Sequence, residues 1–145
     1  MVNALKRLIF GFLVLTFISA PALAGTLERV REAGEFRIGY RVDTEPFSYE
    51  NELGEVVGYA VDLCRFVAVS VKKHLSLPNM KVTYVPVTAE NRFDEIREGR
   101  IDILCGPTSV TLSRREIVDF SVFTFIDGAS VLYLADGPSN FEGLA

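Results

Sequence analysis

The chain has 145 residues, 49% hydrophobic and 23% charged, and 15 Lys plus Arg stand against 19 Asp plus Glu for a net charge of −4. An acidic chain with scattered arginines lacks the basic stripe that a nucleic-acid partner needs. Two cysteines and one histidine are too few and too isolated for a zinc site, and no metal or cofactor site is expected.

In chain order, Lys6 and Arg7 give a positive start, followed by the apolar run Leu8 to Ile18. Pro21 breaks the run and Ala22-Leu23-Ala24 supplies the small residues that a signal peptidase reads. The run falls short of the roughly 20 apolar residues that a membrane span needs. Residues 1–24 are therefore expected to be a signal peptide. Its removal leaves 13 basic against 19 acidic side chains, a net charge of −6, on a length suited to one domain.

Thr26 is expected to cap a short helix through Ala33, with Gly34 just past its end. Glu35 to Tyr40 alternates and puts Phe36, Ile38 and Tyr40 on one face of a strand. Arg41 to Gly54 reads as loop, punctuated by Pro46 and Gly54, and Val56 to Tyr59 as a short strand. From Ala60 the period becomes helical, with Leu63, Phe66, Val67, Val71 and Leu75 on one side and Pro78 as the stop. Met80 to Val87 is a strand, Glu90 to Glu98 a helix ended by Gly99, and Ile101 to Leu104 a strand running into Cys105-Gly106-Pro107-Thr108-Ser109. Thr111 to Glu116 is one more helical turn. Val118 to Phe120 and Ala129 to Leu134 are extended, and Asp136 to Ser139 is a linker.

Strands alternating with helices predict an α/β fold with an open, mostly parallel sheet. Ligands of such sheets bind beyond the carboxyl ends of the strands. Arg41 follows the first strand, Arg92 opens the helix after the third, and Arg114 lies in the turn after Thr108 and Ser109. Three guanidiniums at three strand ends could form an anion site, because the planar fork meets a carboxylate with two parallel hydrogen bonds. The alternative is that they are ordinary surface arginines. Thr108 and Ser109 offer hydroxyls and backbone N–H groups beside them, and Tyr40 and Phe47 could wall the cleft or pack in the core. Glu45, Glu90 and Asp94 form no acid/base pair that the spacing singles out, so an enzyme is disfavoured. Cys64 and Cys105 are either a disulfide, allowed in an oxidising compartment, or two buried thiols.

Three stretches together resemble the extracellular solute-binding proteins of family 3. They are Gly39-Tyr40-Arg41 through Pro46-Phe47-Ser48-Tyr49 with Val57 to Leu63, then Val85 to Arg92, then Asp102 to Arg115 with Val118-Asp119-Phe120-Ser121. The second and third are similar to the glutamate/aspartate-binding branch, and the likeness runs from Thr26 to Ala145. It implies the first lobe of a two-lobed periplasmic binding protein-like clamp of type II, serving as the receptor of an ATP-driven (ABC) amino-acid importer. The implied receptor is a periplasmic monomer that docks on a membrane permease. Arg41 and Arg92 would hold a ligand side-chain carboxylate, and Arg114 with Thr108 and Ser109 its α-carboxylate. Cys64 and Cys105 fall where the branch often has cysteine, which favours their pairing. Ala89 and Pro107 depart from the branch pattern by losing a hydroxyl and an N–H donor. Family members are roughly twice this long, so the expectation is a truncated first lobe over 25–136, with 137–145 beginning the crossing to a second lobe. The same clamp can serve as a sensory domain or as a dehydratase or lytic enzyme, and these are the competing readings.

Overall fold

The structure, a computed structural model, describes residues 25–128. The expected signal peptide, the strand over Ala129 to Leu134, the linker over Asp136 to Ser139 and the crossing over 137–145 lie outside the described residues.

Helix α1, Thr26–Ala33, is closed by Gly34 at φ +64°, whose N–H donates to the Val30 carbonyl. That left-handed cap suits glycine, which has no Cβ to clash. The amino end departs from expectation. Gly25 occupies the cap position, and the Thr26 hydroxyl accepts from the Arg29 guanidinium at 3.1 Å rather than from the helix backbone.

Strand β1, Glu35–Arg41, is the centre of the main sheet. The alternation read from sequence holds, with Phe36, Ile38 and Tyr40 all at or below 4% exposure. On either side lie β5, Lys81–Val87, and β6, Ile103–Cys105, both parallel to β1. Parallel pairing requires crossovers, and two helices supply them: α2, Tyr59–His74, before β5, and α3, Arg92–Arg97, before β6. A short helix α4, Leu112–Arg115, follows β6. Its cap is Thr111, whose side chain accepts from the Arg114 N–H. Val118 to Phe120 forms no strand, in contrast to the sequence reading.

Two further differences have physical causes. The segment read as loop after Arg41 holds two strands, β2, Asp43–Thr44, and β3, Ser48–Glu50, which form a small antiparallel sheet with β4, Val56–Val57, inside the strand expected over Val56 to Tyr59. Its strands are too short to show a period-2 pattern. It passes into α2 through Gly58, at φ +126°, where a Cβ would sit 2.5 Å from the Phe47 carbonyl oxygen. The second difference is the buried face of α2. Val61, Cys64 and Ala68 face the core, whereas Phe66 is 72% exposed. The helix turns its small residues inward because it lies close to the sheet: Cys64 is disulfide-bonded to Cys105 of β6, with a Cα–Cα distance of 6.3 Å. Close approach decides the orientation, not side-chain bulk.

The amino ends of the strands are tied by Asp102, whose carboxylate is fully buried. It accepts from the Arg37 backbone N–H at 2.8 Å and from the Arg37 guanidinium at 3.1 and 2.9 Å, with Arg29 at 3.6 Å. A buried carboxylate is tolerated because its lone pairs are met by charged donors. Core packing thus continues to the amino edge of the sheet and leaves the carboxyl edge for other work.

Tyr40 belongs to that core. Its ring is 4% exposed, stands edge-on to Tyr84 at 6.3 Å and gives its hydroxyl to the Glu50 carboxylate. Burial first, and the Glu50 carboxylate second, push its pKa up to about 12. A phenol with a raised folded-state value stabilises the fold fully below the ordinary value near 10, and that contribution is lost as pH climbs toward 12. Of the five tyrosines, one is expected to ionise last in an ultraviolet alkaline titration. That late step should be missing from the Tyr40→Phe variant.

Candidate functional site

The three arginines come from separate places in the chain and meet at the carboxyl ends of the parallel strands. Arg41 is the last residue of β1 and stands in register with Val87, the last of β5. Its backbone N–H donates to the Ser48 hydroxyl at 2.9 Å, and that hydroxyl donates to the Arg41 carbonyl at 3.0 Å. Ser48 is fully buried, so this pair of bonds fixes where the strand ends. The Arg41 stem then lies over the end of β6: a Cβ on Gly106 would be 3.5 Å from Arg41 Cγ. Its guanidinium grips Asp43 with both forks, Nε to Oδ1 at 2.9 Å and Nη2 to Oδ2 at 3.0 Å.

Arg92 opens α3 just beyond β5. Its Cζ lies 4.5 Å from the centre of the Phe93 ring, and the Cζ of Arg114 lies 5.6 Å from the same centre. One aromatic ring thus carries two guanidiniums, an arrangement its negative π-faces favour. Burial lowers the pKa of Arg92, and the positive charges of Arg114 and Arg41 lower it further. Arg92 thus lies within electrostatic reach of both other guanidiniums, an arrangement that favours an anion. The Arg92 Nε is buried and has no hydrogen-bond partner among the described residues. Arg114 is steadied by a bond from Nη1 to the Ser109 carbonyl at 2.8 Å.

The remaining sequence candidates divide. Thr108 is half-buried and Ser109 exposed, and Ser109 contributes its carbonyl to Arg114. Phe47 is half-buried in an aromatic group with Phe125, at 4.9 Å, and Tyr59, at 6.2 Å. The Tyr59 hydroxyl donates to the Thr124 carbonyl at 2.6 Å and ties that segment down. Of its two alternatives Tyr40 takes core packing: side chains alternate along β1, so it shares the inward face of Ile38.

Sequence reasoning missed Asp43 and Phe93. Residues two apart on extended chain share a face, a signal that would have linked Arg41 to Asp43 had β2 been recognised. Glu90 stands beside the arginines as an exposed carboxylate. Its carboxyl is held below the usual range first by the Thr88 hydroxyl, then by its own backbone N–H and the charges of Arg41 and Arg92. The cluster therefore comprises three guanidiniums and two exposed carboxylates.

The family description "Bacterial extracellular solute-binding proteins, family 3" matches residues 36–141. The chain belongs to this family. It is 40% identical over 125 residues to the L-glutamate/L-aspartate-binding protein of Pseudomonas aeruginosa, covering 83% of this chain and 41% of the relative. It is 33% identical over 114 residues to the glutamate/aspartate import solute-binding protein of Escherichia coli K12, covering 79% and 38%. Among solved structures it is similar to the solute receptor for L-cysteine of Neisseria gonorrhoeae. That match has a TM-score of 0.57 and 32% identity over 67% of this chain and 38% of the other. The family 3 chain thus spans about two-fifths of the length of these relatives, and its described residues form part of a type II periplasmic binding fold. No helix among the described residues is long and apolar enough to cross a membrane.

Proposed function

We propose that this chain forms the first lobe of a periplasmic receptor that captures an amino acid, acidic by preference, for the permease of an ATP-driven importer. The observation that carries the reading is the convergence of Arg41, Arg92 and Arg114 at one sheet edge, where Arg92 feels the charges of the other two and shares the Phe93 ring with Arg114. Carboxylate recognition by paired forks is the chemistry such a cluster suits best. In this reading Arg41 and Arg92 receive the ligand's side-chain carboxylate, and Arg114 with Thr108 and Ser109 receives its α-carboxylate. Two relatives whose names specify glutamate and aspartate support the acidic preference. Residues 1–24 act as the export signal, 25–136 as the first lobe, and 137–145 as the start of a crossing to a second lobe. The receptor acts as a monomer.

Binding without chemistry is the natural role of this site. A general acid or base works with its pKa near the operating pH, whereas Glu90, the carboxylate beside the arginines, is exposed and pushed the other way. Calorimetry of the purified chain with L-glutamate, L-aspartate, L-glutamine and L-arginine tests the proposal. Saturable binding that is tighter for the two acidic ligands is expected. A preference for L-arginine, or no binding of any of the four, overturns it.

A further inference from the structure

We propose that Asp43 is a specificity-determining residue: an internal carboxylate that occupies the fork of Arg41 and must be displaced before a second ligand carboxylate can bind there. The inference rests on the receptor reading above and deepens it.

The geometry of the pair is that of a bound carboxylate. Nε and Nη2 of Arg41 meet Oδ1 and Oδ2 of Asp43 at 2.9 and 3.0 Å, with Nη2 also 2.8 Å from Oδ1, so the carboxylate occupies the edge of the guanidinium that a ligand carboxylate would use. The two partners are held in different ways. Arg41 is anchored through Ser48 and its side chain is only 17% exposed, while that of Asp43 is 62% exposed. Asp43 sits in β2, in register with Tyr49 of β3, so the backbone ladder sets its place independently of the arginine. Moving its carboxylate aside returns Asp43 to water, and the incoming ligand carboxylate takes its place on the mostly buried Arg41, so the contact is exchangeable.

The three arginines are therefore unequal. Arg92 has a buried Nε with no partner among the described residues, and Arg114 uses Nη1 on the Ser109 carbonyl. Neither is paired with a carboxylate among the described residues. Arg41 is already answered by an anion of the chain itself. A ligand with one carboxylate can use Arg92 and Arg114 without disturbing Asp43. A ligand with two must compete with Asp43 for Arg41. The residue thus narrows the advantage of dicarboxylic over monocarboxylic amino acids.

The test compares L-glutamate with L-glutamine by calorimetry on the parent chain and on Asp43→Asn, Asp43→Glu and Glu32→Gln. Glu32→Gln removes an exposed carboxylate from α1, ahead of the strands' amino ends. Asp43→Asn should raise the glutamate-to-glutamine affinity ratio by about three- to fivefold, the size of an exposed ion pair. Asp43→Glu should stay near the parent ratio, as should Glu32→Gln. The Arg41 Nε–Hε proton should be protected from exchange in the parent and lose that protection in Asp43→Asn, which reports the contact directly. An unchanged ratio with binding retained overturns the role of Asp43 alone. Equal losses for both ligands assign Asp43 to the ligand's ammonium and also overturn it. If the parent binds neither ligand, the receptor reading falls and this inference falls with it.

Discussion

Replacing Arg92 with alanine is expected to weaken L-glutamate binding by about 10- to 150-fold, the equivalent of one charge-assisted hydrogen-bonding contact of about 1.5–3 kcal/mol. Arg92 is singled out because its two neighbours already have work. Arg41 is gripped by Asp43, and Arg114 is tied to Ser109. The Nε of Arg92 has no hydrogen-bond partner among the described residues. Its removal should leave the fold nearly as stable. The contact with Phe93 is lost, but so is the repulsion from Arg114 and Arg41 that lowers its pKa. A thermal midpoint within a few degrees of the parent, beside a large loss of affinity, is the signature of a binding residue. Arg92→Lys keeps the charge without the planar fork, so it should fall between parent and alanine. Arg115, exposed on α4, serves as the control. Calorimetry of Arg92→Ala with affinity within twofold of the parent would show that the ligand does not use this fork.

The second large effect concerns stability. The disulfide joins residues 41 apart in sequence, and closing a loop of that size limits the unfolded chain by about 4 kcal/mol in the chain-entropy account. For a domain of this size, the Cys64→Ser, Cys105→Ser double variant should melt on the order of 15 °C lower. Thermal unfolding followed by circular dichroism, with and without a thiol reductant, measures it. The parent in reductant should approach the variant, and the variant should ignore the reductant. A shift of only a degree or two would mean that core packing around Ala68, Val61 and Ile38 suffices without the bond. The bond also bears on the site. Cys105 is the last residue of β6, and Gly106 directly beyond it lies under the Arg41 stem. A looser β6 end should therefore weaken ligand binding as well as stability.

The parts that could be read from the sequence were those set by strong local rules. Alternation in Glu35–Arg41 is unambiguous because the inward residues Phe36, Ile38 and Tyr40 are all large. Helices between strands imply parallel neighbours, and the strand-end rule then directs attention to Arg41, Arg92 and Arg114. The same alternation, followed to the end of β1, turns Tyr40 into the core. The orientation of α2 was not legible. Apolar bulk favoured Phe66 and Val67, but a helix held close to the sheet at Cys64 must turn Cys64 and Ala68 inward. The partners of the arginines were hidden for a related reason. The Asp43 contact depends on a two-residue strand with no periodic signature. The Phe93 stack depends on α4 bringing Arg114 to a ring carried by α3. Residue types show which groups could bind an anion, but which of them are already engaged is a property of the folded chain.

The most direct measurement is the titration of arginine side-chain Nε–Hε resonances with L-glutamate in the full chain. Arg41, Arg92 and Arg114 should shift together along one binding curve, while Arg97 and Arg115, exposed on the outer helices, stay in place. Shifts spread evenly over all the arginines, or confined to those outside the cluster, would contradict a common carboxylate site at the end of the sheet.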